Sequence, residues 1–128
     1  MWWWRRIGSD RTAVAALVVA VAGFAFDLTA ETLLIAWVPE RYAEVAPATF
    51  FLTGVPANGL YTAAGALLTV RTPGVRGAFA VLTWATWASG AALSLFVAIG
   101  QTLAAAIATA VLFALFLPWC LVLWRRLR

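Results

Sequence analysis

Phe24-Ala25-Phe26-Asp27-Leu28-Thr29-Ala30-Glu31-Thr32-Leu33-Leu34-Ile35 sets two carboxylates, four residues apart, inside an apolar run. The run extends from about Thr12 to Val38. It predicts a helix able to cross a hydrocarbon core of ~30 Å with some tilt. Residues i and i+4 of a helix lie one above the other. Ala16, Ala20, Gly23, Asp27 and Glu31 therefore fall on one face. Small residues on a face let a second helix come close. An ionised carboxylate in hydrocarbon costs about 2.5–3.5 kcal/mol on insertion scales. Both carboxylates are thus expected to point inward, toward a neighbouring helix or a watery cavity.

The whole chain resembles this stretch in composition. Its 128 residues are 65% hydrophobic and 11% charged, with a mean hydropathy of +0.95. A soluble domain carries about 25% charged residues, and no soluble fold hides this much apolar surface. The expectation is a single polytopic membrane domain over residues 1–128, with no separate soluble domain. Further apolar segments run from about Pro47 to Val70, Pro73 to Ile99 and Thr102 to Trp124. The expected fold is all-α: an integral membrane four-helix transmembrane bundle made of two antiparallel hairpins.

Punctuation supports these limits. Ser9 or Asp10 suits the start of segment one, and Pro39 stops it. Pro47 suits the first turn of segment two, and Thr72 before Pro73 reads as a cap for segment three. Pro56 lies inside segment two, where it should kink the helix and leave the Leu52 carbonyl short of a partner. Gly54, Asn58, Thr62, Gly65 and Thr69 form a small and polar stripe on that segment, with Tyr61 beside it. Thr83, Thr86, Trp87, Gly90 and Ser94 form another on segment three. Met1-Trp2-Trp3-Trp4-Arg5-Arg6 reads as an interfacial anchor, as do Trp119 and Trp124 near the other terminus.

The basic residues set the orientation. All nine are arginine, and net charge is +4. Three precede segment one, two lie between segments two and three, and three follow segment four, which leaves only Arg41 across the membrane. Both termini should be cytoplasmic. With so strong a bias, self-association should be parallel. A nucleic-acid binder would spread its charge along a face, and these arginines sit at segment ends. The sequence has no histidine and one cysteine, Cys120. That composition excludes bis-histidine haem, histidine-based zinc or iron sites, thiolate clusters and an intrachain disulfide. No metal or other cofactor is expected. The lysine-free, Ala-, Arg- and Trp-rich composition points to a GC-rich bacterial coding sequence and an inner (plasma) membrane location.

Folding the first hairpin about its loop brings Asp27 level with Asn58, and Glu31 with Gly54. At ~1.5 Å rise per residue, Asp27 and Asn58 then lie about 16 Å below the outer helix ends, and Glu31 about 10 Å. The second hairpin turns near Gly100, which brings Ser89 and Gly90 near the same level. These heights assume a compact bundle of straight helices. They define a candidate site of Asp27, Glu31, Asn58, Tyr61, Trp87 and Ser94, lining a cavity that opens outward.

Paired carboxylates resist joint ionisation, so the pair is expected to take up and release a proton. A carboxylate beside tyrosine and tryptophan also suits an organic cation. The expected function is binding or transport of a small cationic or amphipathic solute, with protonation of the Asp27/Glu31 pair as the coupling step. Two other classes fit the residues. One is a non-catalytic accessory or assembly subunit of a larger membrane complex. The other is an intramembrane acid–base enzyme acting on a lipid. No Ser/His, Cys/His or metal constellation supports the enzyme, and neither Pro39-Glu40-Arg41 nor Pro56-Ala57-Asn58 carries a pair of adjacent carboxylates.

Overall fold

The computed structural model describes residues 10–37, 41–72 and 74–127. The start at Met1–Arg6, Ser9, the stop at Pro39 and the helix start expected at Pro73 lie outside the described residues. Among the described residues the structure is helical, without strands: α1 (Arg11–Trp37), α2 (Tyr42–Leu52), α3 (Asn58–Arg71), α4 (Ala78–Ala98) and α5 (Thr102–Leu127). Three helical stretches are long and apolar enough to cross a membrane: Arg11–Ala36, Ala78–Ala98 and Thr102–Arg126.

Local chemistry sets the ends. The Asp10 carboxylate accepts the Thr12 backbone N–H at 2.8 Å and caps α1. Helix α2 begins at Tyr42, ahead of the start expected at Pro47, which lies inside it. Glu44 occupies its first turn, paired with Arg41 at 2.6 Å. Between α2 and α3 the chain makes a π-helical turn, Thr53–Ala57, which contains Pro56. Proline has no N–H to return to the Leu52 carbonyl. The turn widens instead, and the Asn58 N–H bonds the Thr53 carbonyl five residues back. The irregularity expected at Pro56 thus takes the form of an inserted residue, and α2, the turn and α3 run on as one broken helix.

Segment three begins later than the Pro73 start expected for it. The connection passes through positive φ at Gly74 and Gly77, and α4 starts at Ala78. Thr72 closes α3 rather than opening α4: its hydroxyl donates to the Leu68 carbonyl at 2.7 Å. Between α4 and α5, Gly100 adopts φ +72°, the Gln101 N–H bonds the Phe96 carbonyl at 2.8 Å, and the Gly100 N–H bonds the Val97 carbonyl at 3.1 Å. This pair of bonds is the Schellman closure, which requires a residue tolerant of the left-handed region.

The helices pack in chain order. α1 lies on α2, the π turn and α3; α3 and the turn lie on α4; α4 lies on α5. Among the described residues, α1 and α5 share no packed interface. The compact bundle assumed for the height estimate is therefore opened into a row, with α1 and α5 at its edges. Small side chains make many of the contacts, joined on α4 by Phe79, Leu93 and Val97. Ala13, Ala16 and Ala30 are buried on α1, Ala57 and Ala64 on the broken helix, and Ala105 and Ala108 on α5. The largest fully buried side chains are Thr83 and Thr86, while Val18, Phe24, Ile35, Leu103, Phe113 and Leu117 face outward. Small inside and large apolar outside is the distribution of helices packing in lipid, where hydrocarbon outside is no penalty.

Buried positions recur at alternating three- and four-residue steps. On α4 they are Phe79, Thr83, Thr86, Gly90, Leu93 and Val97. On α1, Ala13, Ala16, Gly23 and Ala30 follow the same 3.5-residue repeat. This corrects the face drawn through α1. Ala30, 1% exposed, takes the packed position, and Glu31 is rotated out to the exposed side.

Candidate functional site

The polar side chains of the interior fall into three groups. The first joins α1 to α3. The Tyr61 ring lies against Gly23, and its hydroxyl points at the Asp27 carboxylate from 3.5 Å. That is longer than the 2.5–3.0 Å of a formed O–H···O bond, so among the described residues most of the carboxylate's acceptor capacity is unused. Asp27 is half-buried, and no described arginine lies within ion-pair distance of it: the described ion pairs are Arg41–Glu44 and Arg71–Asp10. Glu31, exposed on the next turn, also lacks an ion pair among the described residues.

The second group joins α3 to α4. The Asn58 amide donates to the Gly90 carbonyl at 2.6 Å and to the Ser94 hydroxyl at 2.8 Å. Asn58 and Ser94 therefore come together, but away from Asp27. The broken helix stands between α1 and α4, and a side chain committed to one neighbour cannot reach the other. Asn58→Ala removes both bonds. At about 0.6 kcal/mol for an average interhelical bond in a membrane, it is expected to lower stability by roughly 1–2 kcal/mol. Denaturant titration in micelles checks this, and an unchanged midpoint would show that the bonds contribute nothing.

The third group lies nearer the arginine-rich end. Trp87 Nε1 donates to Thr69 Oγ1 at 2.8 Å, and Trp119 Nε1 donates to Thr83 Oγ1 at 3.0 Å. The two indoles meet edge to face, with ring centroids 5.2 Å apart. Trp87 is thus placed apart from Asp27, in the wall of a cleft of about 80 Å³ between α3, α4 and α5. Trp119, read as an interfacial anchor, is a second wall of that cleft. Sequence reasoning missed Thr69 and Thr83 as acceptors for indole N–H groups. The usable signal was that a tryptophan held away from the interface needs an acceptor, and both threonines lie on the small and polar stripes of their segments.

Of the six candidate residues, the structure brings together Asp27 with Tyr61 and Asn58 with Ser94. Trp87 belongs to the inner cleft, and Glu31 faces outward. Among the described residues no cluster of acidic, histidine or cysteine side chains is arranged to hold a metal. No protein-family model, curated protein or solved structure matches the chain.

Proposed function

We propose that this is a four-span protein of a bacterial inner (plasma) membrane that binds or moves a small cationic or amphipathic solute at Asp27. The broken helix of residues 42–71 supplies the fourth crossing, and both termini face the cytoplasm. Contacts between ends support this path. Arg71 Nε donates to the Thr12 hydroxyl at 3.2 Å, and Arg126 Nη1 donates to the Gly74 carbonyl at 2.7 Å. The start of α1, the α3–α4 connection and the end of α5 therefore share one end of the row. Arg11, Arg71, Arg76, Arg125 and Arg126 lie there, and Arg41 lies at the other. A reporter active only in the cytoplasm is expected to work at the C-terminus, and a silent one would refute the orientation.

The single observation behind the solute site is the Asp27–Tyr61 pair: a half-buried carboxylate with acceptor sites unused among the described residues, beside an aromatic ring. A cation there meets full negative charge and a π face at once. Glu31, turned outward, is secondary in this scheme. In proteoliposomes carrying a pH gradient, uptake of a lipophilic cation is expected to survive Glu31→Gln and to be lost in Asp27→Asn. Loss in Glu31→Gln alone would reverse the assignment.

A second reading, an accessory subunit, is favoured by one observation. Among the described residues nothing covers either edge of the row, and Glu31 sits on the exposed side of α1. An acid at that depth is costly against lipid, and a partner helix would cover it. In that case Glu31→Gln alters assembly or abundance in the native membrane, with no effect on cation uptake.

A further inference from the structure

The inner cleft has a chemistry of its own, and it differs from that of the Asp27 site. Its walls include five residues with polar side-chain hydrogens, and all five are paired within the protein. Trp87 and Trp119 donate to Thr69 and Thr83. Those threonines donate in turn to the carbonyls of Gly65 and Phe79, at 2.8 and 2.7 Å, and Thr72 donates to Leu68. What the cleft offers a guest is therefore hydrocarbon and aromatic surface. A guest that needs hydrogen-bond donors finds none unused on these side chains, whereas an acyl chain needs none.

The mouth is different. Phe79, 6% exposed, is both a wall of the cleft and the platform for an arginine: the Arg126 guanidinium stacks over its ring, 4.5 Å from the centroid. Trp119, Leu123 and Arg126 follow one another along α5 at helical spacing, so the aromatic wall, the apolar wall and the charge share a face. Arg126 uses one N–H on the Gly74 carbonyl. A guanidinium carries five N–H donors in a fork that suits phosphate oxygens. Thr72 and Val75 also line the cleft, and they place Arg71 and Arg76 beside its mouth in the chain.

We propose that this cleft is a binding site for one anionic glycerophospholipid of the leaflet at the arginine-rich end. Its phosphate is held by Arg126, and one acyl chain lies in the cleft against the wall that Trp87, Trp119 and Leu123 form together. Charge complementarity selects the headgroup, and the internally satisfied walls select the chain. The inference rests on the membrane reading of the fold and is independent of any solute at Asp27.

The test is native mass spectrometry of the full chain in detergent, titrated with equimolar phosphatidylglycerol and phosphatidylcholine. One phosphatidylglycerol per chain is expected to be retained in preference to phosphatidylcholine by at least about fivefold, the worth of one arginine beside an anionic headgroup. Arg126→Gln, an exposed change, is expected to abolish the preference, while Arg125→Gln retains it. Leu123→Trp fills the cleft with the charge intact and is expected to lower retention of both lipids. Equal retention of the two lipids by the unaltered protein overturns the proposal. So does an equal loss of preference in Arg125→Gln and Arg126→Gln, which reports general surface charge, or retention unchanged in Leu123→Trp.

Discussion

Gly65→Leu is expected to separate α3 from α4 and to destabilise the protein more than the loss of both Asn58 bonds does. A Cβ built at Gly65 lies 2.5 Å from the Trp87 ring. Real Cβ atoms do not approach aromatic carbons this closely, so even alanine forces the indole to move. The indole is not free to do so. Its N–H is fixed on Thr69, and its edge is fixed on Trp119. Overpacking of this kind costs about 1–3 kcal/mol for added methylenes, and leucine adds three carbons beyond the Cβ. The expected result is loss of at least about 3 kcal/mol in Gly65→Leu and a smaller loss in Gly65→Ala. Trp87→Ala removes the obstacle, so combining it with Gly65→Leu should cost less than the sum of the two single changes. Additive losses in that cycle would show that the ring is not what Gly65 accommodates.

Asp27→Asn is the second large effect, and its readout is function rather than stability. The substitution keeps the size of the side chain and removes its charge. Two unit charges at 4 Å interact with about 4 kcal/mol at an effective dielectric of 20, roughly a thousandfold in affinity. Binding of a monovalent organic cation is therefore expected to fall by at least about a hundredfold, with the remaining dipole of the amide offsetting the rest. Tyr61 separates two contributions. Tyr61→Phe removes only a hydroxyl 3.5 Å from the carboxylate and keeps the ring, so most of the affinity should remain. Tyr61→Leu removes the π face as well and is expected to cost about 0.5–2 kcal/mol of binding. Equal effects of the two changes would remove the ring from the site.

The relative level of residues on neighbouring helices is legible in the sequence and azimuth is not, for a geometric reason. Heights follow from counting residues away from a turn. Gly23 lies against Ala57, Leu60 and Tyr61, and Asn58 bonds Gly90 and Ser94, within about a turn of the levels expected from the hairpins. Azimuth does not follow from counting. Asp27 and Asn58 share a level, yet one belongs to the α1 interface and the other to the α4 interface, because the broken helix stands between those neighbours. Glu31 shows the same sensitivity on a smaller scale. An i+4 step from Asp27 keeps it on the face of an isolated helix, but the interface follows a 3.5-residue repeat and passes through Ala30 instead.

Other departures have local causes. Pro56 announces an irregular turn, but whether it kinks the helix or inserts a residue depends on the neighbours packed on it. Trp119 resembles a belt residue because aromatic side chains near a terminus usually are. In the fold, Thr83 lies within reach of its N–H and draws the indole into the cleft wall. The stripe Gly54, Asn58, Thr62, Gly65 and Thr69 is legible from the residues alone, since small and polar residues at helical spacing mark a helix contact in lipid. Its role as the α4 interface is seen in the Asn58, Gly65 and Thr69 contacts.

The most direct measurement is equilibrium binding of tetraphenylphosphonium to the purified full chain in nanodiscs of phosphatidylcholine, for the unaltered protein, Glu31→Gln and Asp27→Asn. Saturable binding near one cation per chain, retained in Glu31→Gln and lost in Asp27→Asn, is the predicted result. Equal saturable binding in Asp27→Asn, or no saturable binding in any of the three, would contradict a cation site at Asp27.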